Sequence, residues 1–155
     1  MLPVKRILWP TDFSDPSFLA LESATELAAH FEAELVCVHV LVPPPENSEW
    51  ADASKMTIPL SVQEDRNRLR TDLNEKVKAR CPAGVECRTI VVIGDAPEAI
   101  IDVAGNEDVD LLVTATHGRT GWRRMVFGSV AEKVIREAPC PVLTIRAPEE
   151  QNSEE

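Results

Sequence analysis

The sequence lacks the long apolar run that a membrane-spanning helix requires. Such a helix needs about 20 consecutive apolar residues, and no stretch of this 155-residue chain approaches that length. The first six residues also lack the apolar core of a secretory signal peptide. We therefore expect a cytoplasmic protein that does not act in the membrane.

Basic residues are scarce, at 16 Lys and Arg against 26 Asp and Glu, which gives a formal net charge of −10. An acidic protein gains nothing electrostatically from nucleic acid or from an anionic membrane, so neither is expected as a partner. Arg119, Arg123 and Arg124 nevertheless form a local basic cluster within a glycine-containing stretch. They either attract a polyphosphate or are simply solvated loop charges.

Cysteine is present at four positions, without a Cys-x-x-Cys pair and without zinc-site spacing to any of the three histidines. Cys37 lies in an apolar stretch and Cys140 just before another, which indicates buried free thiols. Cys81 and Cys87 flank a short turn. In a reducing compartment we expect these two thiols to stay unpaired.

Short apolar runs alternate with stretches of helical periodicity along almost the whole chain, which predicts an α/β fold with a parallel sheet covered on both faces. The exception is 41–59, a proline-rich stretch without periodicity that we interpret as an irregular excursion. The pattern predicts five strands, at 4–9, 34–40, 86–93, 111–115 and 142–145. It also predicts four helices, the first after an N-cap at Ser14 or Asp15 with periodic residues up to Phe31, and the others at 62–80, 96–104 and 130–138.

The stretch after the fourth predicted strand has the composition of an anion site. Gly118 and Gly121 allow a tight loop, and Gly128-Ser129 begins the last helix, with Ser129 placed as its N-cap. Unpaired N–H groups and the positive end of a helix dipole together attract anions. The stretch is neither a Walker loop nor a GxGxxG fingerprint, and the chain lacks the HxGH and SGGxDS signatures of adenylyl-transferring enzymes and ATP pyrophosphatases.

The spacing of these residues resembles the Gly-x2-Gly-x9-Gly-Ser/Thr nucleotide-binding motif of the universal stress protein family. Gly118 stands at the second glycine and Gly128-Ser129 close the motif, whereas Ala115 replaces the first glycine. Further stretches similar to that family lie at 10–14, 38–40, 94–97 and 139–143, so the resemblance spans residues 4–146. It implies one universal stress protein domain over 1–146, followed by an acidic, disordered tail over 147–155.

The resemblance implies a three-layer open sandwich of the adenine nucleotide alpha hydrolase-like type, with strand order 3-2-1-4-5 and four helices. Its switch point lies between the first and fourth strands, where the loops at 10–14 and 115–129 emerge. The implied ligand is ATP, together with Mg. The implied binding residues are Pro10, Thr11, Asp12, Val40, Ala115, His117, Gly118, Arg119, Gly128, Ser129 and Val130.

Several of these residues admit two interpretations. Asp12 either accepts hydrogen bonds from the nucleoside or forms the turn that starts the first helix. His117 shapes the loop rather than acting in catalysis, because no nucleophile or metal ligand stands at a recognised spacing from it. By resemblance, the Val40 backbone reads the adenine edge, and the Ala115 methyl group could crowd the sugar.

We therefore expect an ATP-binding regulatory protein of the stress response. Hydrolysis should be slow at most, because no Lys, Walker-type acid or arranged base is visible for phosphoryl transfer; no residue is assigned to catalysis or to a protein-bound metal. The alternative is a nucleotide-independent interaction protein of the same fold, for which Ala115 is the sequence support. The resemblance also implies a homodimer joined through the last strand, Pro141 to Ile145.

Overall fold

The computed structural model describes residues 3–43, 59–117 and 127–147. Five strands and four helices alternate along these residues, as the sequence predicts. The strands are β1 (Arg6–Thr11), β2 (Glu34–Leu41), β3 (Cys87–Ile93), β4 (Leu111–Ala115) and β5 (Val142–Ile145). The helices are α1 (Asp15–Phe31), α2 (Leu60–Lys78), α3 (Ala96–Asn106) and α4 (Ser129–Glu137). Most of the predicted excursion at 41–59 lies outside the described residues.

All four strand pairings are parallel, and the sheet has the order β3-β2-β1-β4-β5. The predicted strand order is therefore confirmed. After β1 the chain proceeds outward through β2 and β3, and it then crosses back to place β4 on the other side of β1. The direction of winding reverses between β1 and β4, which makes this the switch point of the sheet.

Helices cover both faces of the sheet, so the fold has three layers. On one face, buried side chains of β1 and β2 pack with α1 and α2, among them Trp9, Leu21 and Leu73. On the other face, Leu8 packs with α3 and α4 through residues such as Val134. The central strands are apolar on both faces because neither face meets water.

Helix α1 lies against the sheet through small side chains. Its buried positions include Ala20, Ala24 and Ala28, which recur at helical spacing and allow a close approach. The helix begins after Ser14, whose hydroxyl accepts a hydrogen bond from the Ser17 N–H. Trp9 donates its indole N–H to the Ser17 carbonyl at 2.8 Å, which ties the start of the helix to β1.

Ion pairs link the strands to one another and to the end of α3 at the amino ends of the strands. Glu34 accepts hydrogen bonds from Arg6 at 3.0 Å and from Arg88 at 2.7 Å, and Arg88 also bonds the Glu107 carboxylate at 2.6 Å. The hydrogen bond from Arg88 holds the pKa of Glu107 below its ordinary value. The amino ends of the strands therefore carry paired charges, and the cavity described below lies at their carboxyl ends.

The bonding of the cysteines differs from the sequence prediction at one pair. Cys37 is buried as predicted, and Cys140 is half-buried; both are free. Cys81 and Cys87, however, are joined in a disulfide, so the expectation that they stay unpaired is wrong. The turn between α2 and β3 brings the two sulfur atoms together, an approach that sequence spacing alone does not reveal.

Candidate functional site

A cavity of about 290 Å³ opens at the carboxyl ends of β1 and β4, at the switch point of the sheet. All the predicted site residues that the structure describes line it: Pro10, Thr11, Asp12, Val40, Ala115, His117, Gly128, Ser129 and Val130. The predicted residues Gly118 and Arg119 lie outside the described part of the chain, as do Arg123 and Arg124. The fold thus brings together segments that are more than 100 residues apart in sequence.

A rigid turn after β1 forms one wall of the cavity. The buried Thr11 hydroxyl lies 2.8 Å from the Ser17 hydroxyl and accepts a hydrogen bond from the Phe13 N–H at 3.0 Å. Phe13 adopts a left-handed conformation, with φ 63°. The Asp12 carboxylate accepts from the Ser14 N–H at 3.0 Å and from its hydroxyl. Asp12 therefore has the predicted turn-forming role, and it also lines the cavity.

The end of β2 contributes a backbone carbonyl to the cavity. The Glu34 N–H donates to the Lys5 carbonyl, just before β1, and the Leu35 N–H donates to the Glu86 carbonyl, just before β3. Even-numbered residues of β2 therefore direct their backbone groups towards β1. Pairing with β1 stops at Thr11 and His39. The next donor along that side, the Phe13 N–H, is bonded to the Thr11 hydroxyl instead. The Val40 carbonyl therefore lies on the side of β2 that faces the switch point, beyond the last residue pair between β1 and β2.

The amino end of α4 forms the opposite wall. Its N-cap residue is Gly128, with φ −71° and ψ 160°, and Ser129 is the first helical residue. The prediction that Ser129 caps the helix is therefore wrong by one position, and its side chain makes no capping bond. The Gly128 N–H donates to the Thr116 carbonyl at 2.8 Å, which fastens α4 to the end of β4.

The hydrogen-bond donors of α4 are accordingly fewer than the sequence suggested. The Gly128 N–H is satisfied within the protein, so it does not belong to the anion site. The next two N–H groups, of Ser129 and Val130, have no acceptor within residues 3–43, 59–117 and 127–147. They lie in the first turn, where the helix dipole is positive. Two backbone donors and the Ser129 hydroxyl remain for a ligand.

The described ionisable residues of the lining are one carboxylate and two imidazoles. Asp12, His39 and His117 are present, and none of the described lining residues is Lys or Arg. The His39 Nδ1 lies 2.8 Å from the Thr11 carbonyl oxygen, and the His117 Nδ1 lies 3.0 Å from the Thr116 hydroxyl. Within the described residues no group of three His, Cys, Asp or Glu side chains could hold a metal ion.

Sequence reasoning missed one wall of the cavity. Ala96 and Ile100 of α3 and Val38 of β2 also line it. Their apolar side chains followed the periodicity of core positions, and Ile100 is indeed buried. The signal that could have identified them is position, because α3 follows directly on β3 and its first turn lies at the carboxyl edge of the sheet.

The cavity combines an apolar wall, a strand-end carbonyl and two helix-start amides without an acceptor in the described ranges, at the switch point of a parallel sheet. This arrangement defines an α/β nucleotide-binding fold. The sequence profile of the universal stress protein family matches residues 3–146. The chain belongs to the universal stress protein family.

Relatives agree with this assignment over nearly the full chain. Universal stress protein MJ0531 of Methanocaldococcus jannaschii is 34% identical over 148 residues, with 95% of this chain and 85% of the relative covered. Universal stress protein YxiE of Bacillus subtilis is 32% identical over 151 residues, with 91% and 98% covered. None of the helices in the described ranges is long and apolar enough to cross a membrane.

Solved structures give the same fold. Protein MJ0577 superposes with a TM-score of 0.70 at 25% identity, covering 94% of this chain and 97% of that one. A universal stress protein in complex with cAMP gives 0.65 at 21% identity, with 94% and 98% covered. A universal stress protein from Archaeoglobus fulgidus in complex with dAMP gives 0.62 at 22% identity, with 94% and 99% covered.

Proposed function

We propose that this chain binds ATP in the switch-point cavity and acts as a regulatory module of the stress response. The observation that supports the proposal is the convergence on one cavity of the Val40 carbonyl with the Ser129 and Val130 amides, which have no acceptor among the described residues. The two amides would donate hydrogen bonds to a phosphate. The carbonyl would accept a hydrogen bond from the exocyclic amino group of a base. The cAMP and dAMP complexes of structural neighbours support an adenine nucleotide.

Magnesium would arrive with the nucleotide rather than reside in the protein. Mg²⁺ is commonly held by substrate phosphates, waters and one or two carboxylates. Asp12 is the one carboxylate among the described lining residues. The lining therefore fits a Mg²⁺ ion that is held mainly by the phosphates of the nucleotide. The absence of Lys, Arg and a carboxylate pair from the described lining supports slow hydrolysis at most.

The remaining features of the proposal concern the whole chain. We propose one domain over 1–146, supported by the family match to 3–146, followed by a polar tail. We propose a cytoplasmic protein, in keeping with the acidic composition. We also propose a homodimer through β5, in which the side chain of Leu143 is exposed, as is that of Ile135 in α4.

A second candidate is a nucleotide-independent interaction protein of the same fold. Its support is Ala115, which stands where the family motif has glycine and lines the cavity as a buried residue. Under this alternative the methyl group excludes the sugar. The two candidates differ in one measurable respect, which is whether ATP stabilises the folded chain.

The test is thermal unfolding with and without Mg-ATP. ATP at about 100 times its dissociation constant contributes about 2.7 kcal/mol, which raises Tm by roughly 5–10 °C for a chain of this size. In Ser129→Asp, a carboxylate at the helix start should keep or raise basal stability through the helix dipole but repel phosphate. Ser129→Ala, which removes only the hydroxyl, is the matched control.

The proposal predicts a large ATP response in wild type, a reduced one in Ser129→Ala and none in Ser129→Asp. An unresponsive wild type would give precedence to the nucleotide-independent alternative. An equal response in wild type and Ser129→Asp would show that ATP binds elsewhere on the chain.

A further inference from the structure

Two half-buried cysteines meet at the turn between α2 and β3, away from the crevice. Cys81 follows the end of α2 and Cys87 begins β3, and their sulfur atoms are bonded. We propose that Cys81 and Cys87 form a reversible redox site, a dithiol that closes to a disulfide by exchange with a low-molecular-weight disulfide such as glutathione disulfide.

The other two cysteines are free, and the pKa of each thiol is raised. Cys37 is fully buried in β2, and burial raises the pKa of its thiol to about 12. Burial and the nearby Asp110 carboxylate raise the pKa of Cys140. Because the thiolate is the reactive form, exchange at these positions is suppressed. The chain thus has one fully buried thiol, one half-buried thiol with a raised pKa and one half-buried bonded pair.

The exchange of the dithiol with glutathione disulfide proceeds in two steps, in which atoms and electrons balance. The thiolate of one cysteine attacks a sulfur of glutathione disulfide, which forms a mixed disulfide and releases one glutathione thiolate. The second cysteine loses its proton to solvent and attacks the protein sulfur of that mixed disulfide, which releases the second glutathione. The protein dithiol loses two electrons, and glutathione disulfide is reduced to two glutathione molecules.

The turn between Cys81 and Cys87 has a conformation that brings the two sulfur atoms together. Gly84 adopts φ 95° within it, and among the described residues no atom beyond its two chain neighbours lies within 4 Å of the position that a Cβ would take there. The Cα atoms of the two cysteines are 7.2 Å apart, slightly beyond the usual span of about 4.4–6.8 Å. The disulfide links the end of α2 to the start of β3 across the turn, so its opening removes a direct constraint between the two elements.

The turn is otherwise held by a few local contacts. The Val77 carbonyl accepts from the Cys81 N–H at 2.8 Å and from the Arg80 N–H at 3.0 Å. The Arg80 guanidinium lies over the ring of Phe18 in α1, at 4.3 Å from its centroid. Opening the disulfide removes the one covalent constraint on this segment, so these bonds should open more often.

The experiment uses the full chain without nucleotide, so its outcome is independent of the proposed ATP binding. The protein is equilibrated at graded ratios of reduced to oxidised glutathione, quenched in acid, unfolded and alkylated with N-ethylmaleimide, and its intact mass is measured. We expect two alkylated thiols, on Cys37 and Cys140, at the oxidising end, and four at the reducing end. Reduction should lower Tm by about 5 °C.

Hydrogen exchange provides the local readout. On reduction, amides at 79–87 should exchange faster, whereas amides of α3 should not change. Cys81→Ser should behave as the reduced form at every ratio, and Cys140→Ser, the matched control, should keep the full redox response with one alkylated thiol fewer.

Three results would overturn the proposal. Four alkylated thiols at every ratio would show that the pair does not close. A stable glutathione adduct without ring closure would show that the second thiol cannot reach it. Two alkylated thiols at every ratio in the folded protein would show a permanent disulfide rather than a reversible one.

Discussion

Ala115 is the residue at which this chain departs from the nucleotide-binding motif of its family, and it tests how much one methyl group matters. It ends β4, is buried and lines the cavity. Its neighbour Thr116 donates an N–H to the Ile145 carbonyl at 3.0 Å, so the backbone here is fixed by β5. A ligand therefore cannot displace the methyl group by moving the strand.

Ala115→Gly should tighten ATP binding by removing the methyl group from the cavity wall, at a cost in stability of about 1 kcal/mol. Ala115→Val, which adds bulk at the same point, should weaken binding. Equilibrium titration with ATP measures the first effect, and urea unfolding measures the second. Equal affinity in all three proteins would place the sugar away from β4.

At the residue scale, the sequence predicted which positions line the cavity better than it predicted what each does. Gly128 and Ser129 are both at the site, but the glycine caps the helix and its N–H is bonded to Thr116. That bond is a tertiary contact between the end of β4 and the start of α4, which the sequence pattern does not reveal. Ile100 was missed for a related reason, because an apolar helical residue has the same sequence pattern in a core and in a cavity wall.

Among the elements, β5 exposes an edge on which a second copy of the chain could pair. Thr116 and Leu112 donate N–H groups to the carbonyls of Ile145 and Pro141, so odd-numbered residues of β5 bond to β4. The N–H groups of the even-numbered residues, including Thr144, face the outer edge. Short, unpaired edges of this kind invite strand pairing.

Thr144→Pro removes an outward N–H while leaving every bond to β4 intact, and proline is tolerated at such edges. If the proposed homodimer forms through β5, this variant should be monomeric by light scattering at micromolar concentration, whereas Thr144→Val should stay dimeric. A monomeric wild type, or a dimeric proline variant, would contradict pairing through this edge.

Element order and type followed from periodicity, and most boundaries agree within a few residues. The strand order did not follow from pattern; it came from family resemblance and is confirmed by the pairing of β1 with both β2 and β4. The disulfide between Cys81 and Cys87 was the clearest failure, since it depends on how α2 ends relative to β3. The number of residues between two cysteines does not give the distance between their sulfur atoms.

For the whole molecule, the charge network at the amino ends of the strands makes stability depend on pH. Glu107 has a pKa below its ordinary value of about 4.5 because Arg88 donates a hydrogen bond to it. A carboxylate whose folded pKa is lowered stabilises the fold fully above the unfolded pKa, and this contribution disappears as pH falls through the folded value.

The urea midpoint should therefore fall as the pH drops below the ordinary carboxyl pKa of about 4.5, and Glu107→Gln should flatten part of that slope. Because the side chains of Arg88 and Glu107 are 41% and 29% exposed, the loss at pH 7 should stay below about 1 kcal/mol. Glu64→Gln, on the exposed face of α2, is the matched control. Parallel pH profiles for wild type and Glu107→Gln would assign the acid sensitivity to other carboxylates.

The central claim concerns two backbone donors, and amide NMR observes them directly. With Mg-ATP added to isotope-labelled protein, the N–H resonances of Ser129 and Val130 should show the largest downfield shifts, because each gains a charge-assisted hydrogen bond to phosphate. The Gly128 N–H, already bonded to Thr116, should shift less. Saturating ATP that leaves Ser129 and Val130 unmoved, or moves resonances only outside the cavity, would contradict the assignment.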